Sequence, residues 1–318
     1  MQEAWHWLAA IYLFLGGLGA GAFLVAAAVE LTGERYKHPF CPTTLVGATI
    51  AGPAVGVGTL LLIFELGAGL REPWRIPYMF THFSSVMTWG IWILSFFIPL
   101  AFLYGFLELM DAYPNTWASI TGKLRFLKKL PVRRLKRVVA AVGSVFALAT
   151  GIYTGVLLSA VGPAVPLWGA DLWPGLSIPL MPILFLVSAL STGMGLTIDL
   201  AATISIPEIQ RRFHALPVIH MLAIGLEAVL VGLLIHSANT LGGAGAMSAN
   251  VMVAGPMRTA FWIGFVAIGL AYPFAVHAYA IGAGSHSPAS GIGSGIGIVV
   301  AGLFLRYIIL ASGIQPIL

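Results

Sequence analysis

Within an almost uncharged sequence, a handful of side chains can exchange protons, and they fall into two sets. Glu65, His82, Ser85 and Tyr153 stand near the same end of their apolar runs, and His6, between Trp5 and Trp7, joins them from the first run. A carboxylate, an imidazole, a hydroxyl and a phenol gathered at one depth can hydrogen-bond the oxygens of a quinone and exchange its protons. A histidine or tyrosine at a membrane surface can equally sit with one end wet and no chemistry to do, so the shared depth carries more than any one residue. The second set lies deeper. An ionisable group near the bilayer centre costs at least about 2.5–3.5 kcal/mol. Glu227 in the middle of its run, Asp199 in the inner third of its own and Arg306 in the outer third of the last are therefore candidates for proton transfer. The competing reading is a structural ion pair between Arg306 and Glu227.

The elements that must position these groups follow from composition. The chain has 318 residues, 59% of them hydrophobic and only 8% charged, and a mean hydropathy of +0.95. A soluble domain, with about a quarter of its residues charged, is excluded. Runs long enough to cross a hydrocarbon core of about 30 Å occur near 7–31, 44–67, 84–110, 137–160, 179–205, 216–239, 257–281 and 292–314. The fold class is all-α, a polytopic membrane protein of eight transmembrane helices. No basic segment precedes the first run, and the run is too long for a signal-peptide core, so it reads as a retained helix.

Lys and Arg set the orientation. The connection after the third run holds Lys123, Arg125, Lys128, Lys129, Arg133, Arg134, Lys136 and Arg137. Arg35, Lys37, Arg211 and Arg212 lie on the same side, leaving only Arg71, Arg75, Arg258 and Arg306 of the 16 basic residues elsewhere. Positive-inside topology puts that side in the cytoplasm and both termini outside. It also accounts for the net charge of +5 without nucleic acid as a partner. The outer connections are longer, and their Trp74, Trp168 and Trp173 read as interfacial anchors.

Gly17 and Gly21, Gly52 and Gly56, Gly151 and Gly155, and Gly293 and Gly297 form small-xxx-small pairs that let helix backbones approach closely. A weak repeat relates Leu13-Phe-Leu15 with Gly17, Gly19 and Gly21 to Leu184-Phe-Leu186 with Ser188, Ser191, Gly193 and Gly195. It suggests two four-helix bundles in one membrane domain, residues 1–160 and 179–318. Cys41 is the only cysteine, so no iron–sulfur cluster with several thiolate ligands belongs to this protein. His38, His214, His220, His277 and His286 cluster toward the inner side, and His6, His82 and His236 toward the outer. No facing pair at mid-membrane is visible, so no haem or other metal is expected here.

Read in order, Trp5-x-Trp7, Ile11-Tyr-Leu-Phe-Leu-Gly-x-x-x-Ala-Gly21, Pro73-Trp74, Ser84-Ser-Val-Met87 with Gly90, Gly151-x-Tyr-Thr-Gly155 with Leu158-Ser159, Glu227 and Leu305-Arg-Tyr307 resemble the NrfD/PsrC family. These are quinone-reactive membrane subunits of polysulfide reductase-like and nitrite reductase-like respiratory complexes. The resemblance spans essentially the whole sequence. It implies an anchor without a redox centre of its own, in a prokaryotic cytoplasmic (inner) membrane, that binds menaquinone near the periplasmic face. Electrons would pass between menaquinol and a four-cluster ferredoxin-like iron–sulfur subunit on the outer face, and on to a molybdopterin catalytic subunit. Tyr153 is the quinone contact this matching favours. A rival from another class is a secondary transporter or ion-conducting protein, supported by the repeat and by Asp199 and Glu227 within the membrane.

Overall fold

A computed structural model describes residues 7–33, 41–65, 73–114, 131–173, 175–204, 215–283 and 288–315. The helices are α1 (Trp7–Leu31), α2 (Pro42–Glu65), α3 (Val86–Ala112), α4 (Val132–Ser159), α5 (Leu180–Ile204), α6 (Ala215–Leu241) and a short α7 (Gly243–Val253). A π-wound stretch, Ala260–Ala271, runs on into Tyr272–Ala283 as α8, and α9 spans Pro288–Ser312. Among the described residues, eight of these helices are long and apolar enough to cross a membrane, α7 being the short exception. Each span falls within a few residues of its expected run except at the start of α4, which begins five residues early at Val132. Gly242, at φ +65°, takes the left-handed conformation that glycine adopts at no steric cost, and α7 folds back there from the end of α6.

Backbone contact organises the bundle, as an apolar medium requires when it offers no hydrophobic drive between helices. α1 is the central element, packed by α2, α4, α5 and α9. A Cβ on Gly21 would strike the backbone of Ala189 and Gly193 in α5, and one on Gly193 would strike the backbone of Gly21 and Ala22. The glycines of the repeated segments thus meet each other. Gly52 seats Phe102 of α3, Gly155 lies on Met181 and Pro182 of α5, and Gly297 lies on Ile268 of α8. In α8, Gly264 and Gly269 both face α9, against Phe304 and Ala301. Their five-residue spacing matches the i→i+5 bonding of π winding.

Trp7 of α1 and Tyr307 of α9 line one groove, so the start of α1 and the last turns of α9 lie at the same end of the bundle, the terminal end. Two expectations change. Trp168 is no surface anchor: it is fully buried, and its indole donates to the Ile309 carbonyl of α9 at 2.9 Å. The connection after α4 folds inward through a close Gly162–Gly169 contact, whereas Trp74 and Trp173 are exposed. Lys136 is no loop residue either. It is fully buried at the opposite end, paired with Glu108, with Asp111 at 2.9 Å and with Glu30 at 3.6 Å. Thr44 donates to Glu108 at 2.7 Å, so all four of the first helices meet at this ammonium.

Candidate functional site

Near the terminal end, α1, α3 and α4 bring two phenols together. Tyr153 is buried, and its ring occupies the space that a Cβ on Gly90 of α3 would need. The glycine lets an aromatic face lie against helix backbone. Tyr12 of α1 is its neighbour. The Tyr12 hydroxyl is buried with the Tyr153 hydroxyl as its polar neighbour, yet the two close no full hydrogen bond, so a bound polar group would find donors here. Leu94, one turn along α3 from Gly90, and Leu62 of α2 are among the residues lining a cavity of about 150 Å³ closed by Met79 and Phe80. Its polar members, Thr59 and Ser95, are satisfied within their own helices, by the Val55 carbonyl at 2.9 Å and the Ile91 carbonyl at 2.7 Å.

The other residues expected here are placed differently. Ser85 is half-buried, the extended residue just before α3, with no capping bond from its side chain. His82 is exposed, in the turn ahead of α3, with Nδ1 3.1 Å from the Tyr78 carbonyl. Glu65 is the last residue of α2; its side chain, like the whole of His6, lies outside the described residues. The structure thus joins Tyr153 to Tyr12, which the sequence offered only as part of the Ile11–Gly21 motif, and leaves His82 at the surface.

The deeper set forms a buried file between α5, α6, α8 and α9. Arg306 is fully buried. Its Nη1 donates to Ser188 Oγ at 2.6 Å and to the Gly302 carbonyl at 3.0 Å. The guanidinium lies over the Phe185 ring at 5.3 Å and reaches Gly17 of α1, where a Cβ would stand 2.9 Å from Nη2. Glu227 is buried, facing Ser188 and Ser191. Among the described residues it closes no ion pair with Arg306; Ser188 lies between the two.

Further along, His220 of α6 and His277 of α8 are both fully buried, with Nδ1 and Nε2 3.0 Å apart. The histidine pattern did not anticipate this pair, because α6 and α8 are joined through α7 rather than adjacent in sequence. A metal between two imidazoles would hold the nitrogens roughly 4 Å apart, at about 2.0–2.1 Å each; here one ring hydrogen-bonds the other. Asp199 of α5 lies beside Ser294 of α9, packed against Gly295. Among the described residues no group of three or more His, Cys, Asp and Glu could hold a metal ion.

Comparison with known proteins agrees with this architecture. The profile of the family described as "Polysulphide reductase, NrfD" matches residues 1–317. The C subunit of the polysulfide reductase of Wolinella succinogenes is 32% identical over 319 residues, covering 97% of this protein and 94% of that one. Protein NrfD of Escherichia coli is 30% identical over 330 residues, covering 97% and 94%, and the NrfD homologue of Haemophilus influenzae is 26% identical over 279 residues, covering 85% and 81%. The protein is a multi-pass membrane protein and belongs to the NrfD, or polysulphide reductase, family.

Proposed function

We propose that this protein is the quinone-reactive membrane subunit of a respiratory reductase complex, oxidising menaquinol or reducing menaquinone beside Tyr153. The carrying observation is the buried pair Tyr153 and Tyr12 at the terminal end, whose hydroxyls are neighbours without closing a full hydrogen bond, together with an apolar cavity lined by Leu94, one turn along α3 from Gly90. A quinone is the substrate here. Its ring fits an apolar slot between helices, and its oxygens need donors that the phenols supply. Tyr153 and Tyr12 hold the quinone oxygen, while Ser85, His82, Glu65 and His6 line the way by which protons reach water.

In this reading the terminal end faces the periplasm. The exposed connections there dock an iron–sulfur subunit of four-cluster ferredoxin type, which passes electrons to or from a molybdopterin catalytic subunit. Residues 1–160 form the quinone bundle. Residues 179–318 form a second bundle, whose proton-transfer path holds Asp199 and Glu227, with Arg306 setting the charge beside them. The names of the relatives, a polysulfide reductase subunit and NrfD, support the assignment to such a complex. The test is quinone titration of the assembled complex. Tyr153→Phe is expected to lower turnover by about 100-fold, the scale of a lost proton donor, with His82→Ala having a smaller effect. Unchanged turnover in both variants would refute the site.

A further inference from the structure

Four helices contribute ionisable or hydroxyl groups to one buried file ranged along α5. Ordered from the terminal end, it contains Arg306, Ser188 and Glu227, then Ser191, then His220 and His277, then Asp199 with Ser294. Along α5 the members Ser188, Ser191, Gly195 and Asp199 are spaced three or four residues apart, which keeps them on one helix face. A Cβ on Gly195 would stand 3.1 Å from the His220 ring, so the glycine opens the space that the imidazole fills. Asp199 lies one turn further, about 6 Å along the axis at 1.5 Å per residue.

Several atoms along the file are buried without closing a full hydrogen bond: Arg306 Nε and Nη2, His220 Nε2, and Asp199 Oδ2 and Ser294 Oγ, which lie side by side. The His220 ring also lies beside the backbone of Ser191. Unpaired donors and acceptors at this depth each cost about 1–3 kcal/mol, and a fold that needed only packing would have apolar side chains here. Such positions suit water and mobile protons. At its upper end the file touches the quinone half directly, because Arg306 lies against Gly17 of α1, below Tyr12 on the same helix.

We propose that the His220–His277 pair is the proton hand-over of this file, linking Asp199 on one side to Glu227 on the other. The pair suits the task because an imidazole can accept at one ring nitrogen while it donates from the other. At each step one N–H or O–H bond breaks as another forms, so one proton moves and no electron does. Arg306 carries no proton and sets the charge at the end of the file. The proposal rests on the quinone reading for its driving reaction, the oxidation or reduction of quinone beside Tyr153.

The test uses the whole complex in liposomes with an entrapped pH dye, together with nitrogen-15 signals of labelled histidine in the purified complex. His220→Gln and His277→Gln keep a hydrogen bond at the pair but cannot pass a proton through it. They are expected to retain quinol turnover in the presence of an uncoupler and to lose transmembrane proton transfer by about 100-fold or more. In the unsubstituted histidine pair, ring nitrogens averaging between protonated and bare forms, with exchange slowed by Asp199→Asn, would support the relay. Unchanged proton transfer in both glutamine variants, or fixed tautomers indifferent to Asp199→Asn, would overturn it. A parent complex unable to turn over quinol would instead count against the quinone reading, and the nitrogen signals alone would then decide the relay.

Discussion

Lys136 shows what a single buried charge does in this protein. Its ammonium has no exposure and holds Glu108, Asp111 and Glu30, one or two carboxylates from each of α1 and α3. Removing one partner of a buried ion pair leaves the others uncompensated, at a cost of about 3–5 kcal/mol. Lys136→Met is therefore expected to lower the unfolding temperature of the purified protein sharply, and a variant that melts with the parent would contradict the cluster's role. The sequence showed Lys136 only as one of a run of basic residues, because its partners lie 25 or more positions away on other helices. Tyr153 could be singled out as a candidate, since it shares its depth with Glu65, His82 and Ser85 and falls in the Gly151-x-Tyr-Thr-Gly155 motif. Its dependence on Gly90 could not, because only the packed helices show the ring filling that gap.

Helices were the most readable level, because an apolar run of twenty or more residues leaves the polypeptide few alternatives in a bilayer. All four small-xxx-small pairs pack at helix contacts. Which helix each one meets could not be read, and the mutual contact of Gly21 and Gly193 emerges only in three dimensions. Gly21→Ala and Gly193→Ala each push a methyl into backbone, so each should destabilise by about 1–3 kcal/mol. Gly225→Ala meets nothing within 4 Å and should be neutral or slightly stabilising, since alanine is the better helix former. Thermal unfolding of the three variants checks the contrast, and equal shifts in all three would mean that close backbone approach does not govern the bundle. The inward-folded Trp168 escaped the sequence because interfacial tryptophan is the default expectation, and its partner, the Ile309 carbonyl, lies 141 residues on.

For the molecule as a whole, the distribution of Lys and Arg carries the orientation. With Cys41 replaced by Ser, Gln2→Cys should react with a membrane-impermeant thiol reagent in intact spheroplasts, and Lys123→Cys only after lysis. The opposite pattern would invert the topology and put the Tyr153 site at the cytoplasmic side. The two halves divide the work in this account. In the proposed reading the first would hold the quinone beside its phenols; the second carries a buried polar file, and Arg306 meets Gly17 of α1 between them.

The central claim is the place of the quinone, and photoaffinity labelling of the assembled complex with an azidoquinone reads that place directly. The account predicts label in the peptides of α3 and α4 that carry Gly90 and Tyr153, displaced by excess menaquinone analogue and reduced by Tyr153→Phe. Label confined to α6, α8 or α9, insensitive to Tyr153→Phe, would contradict it.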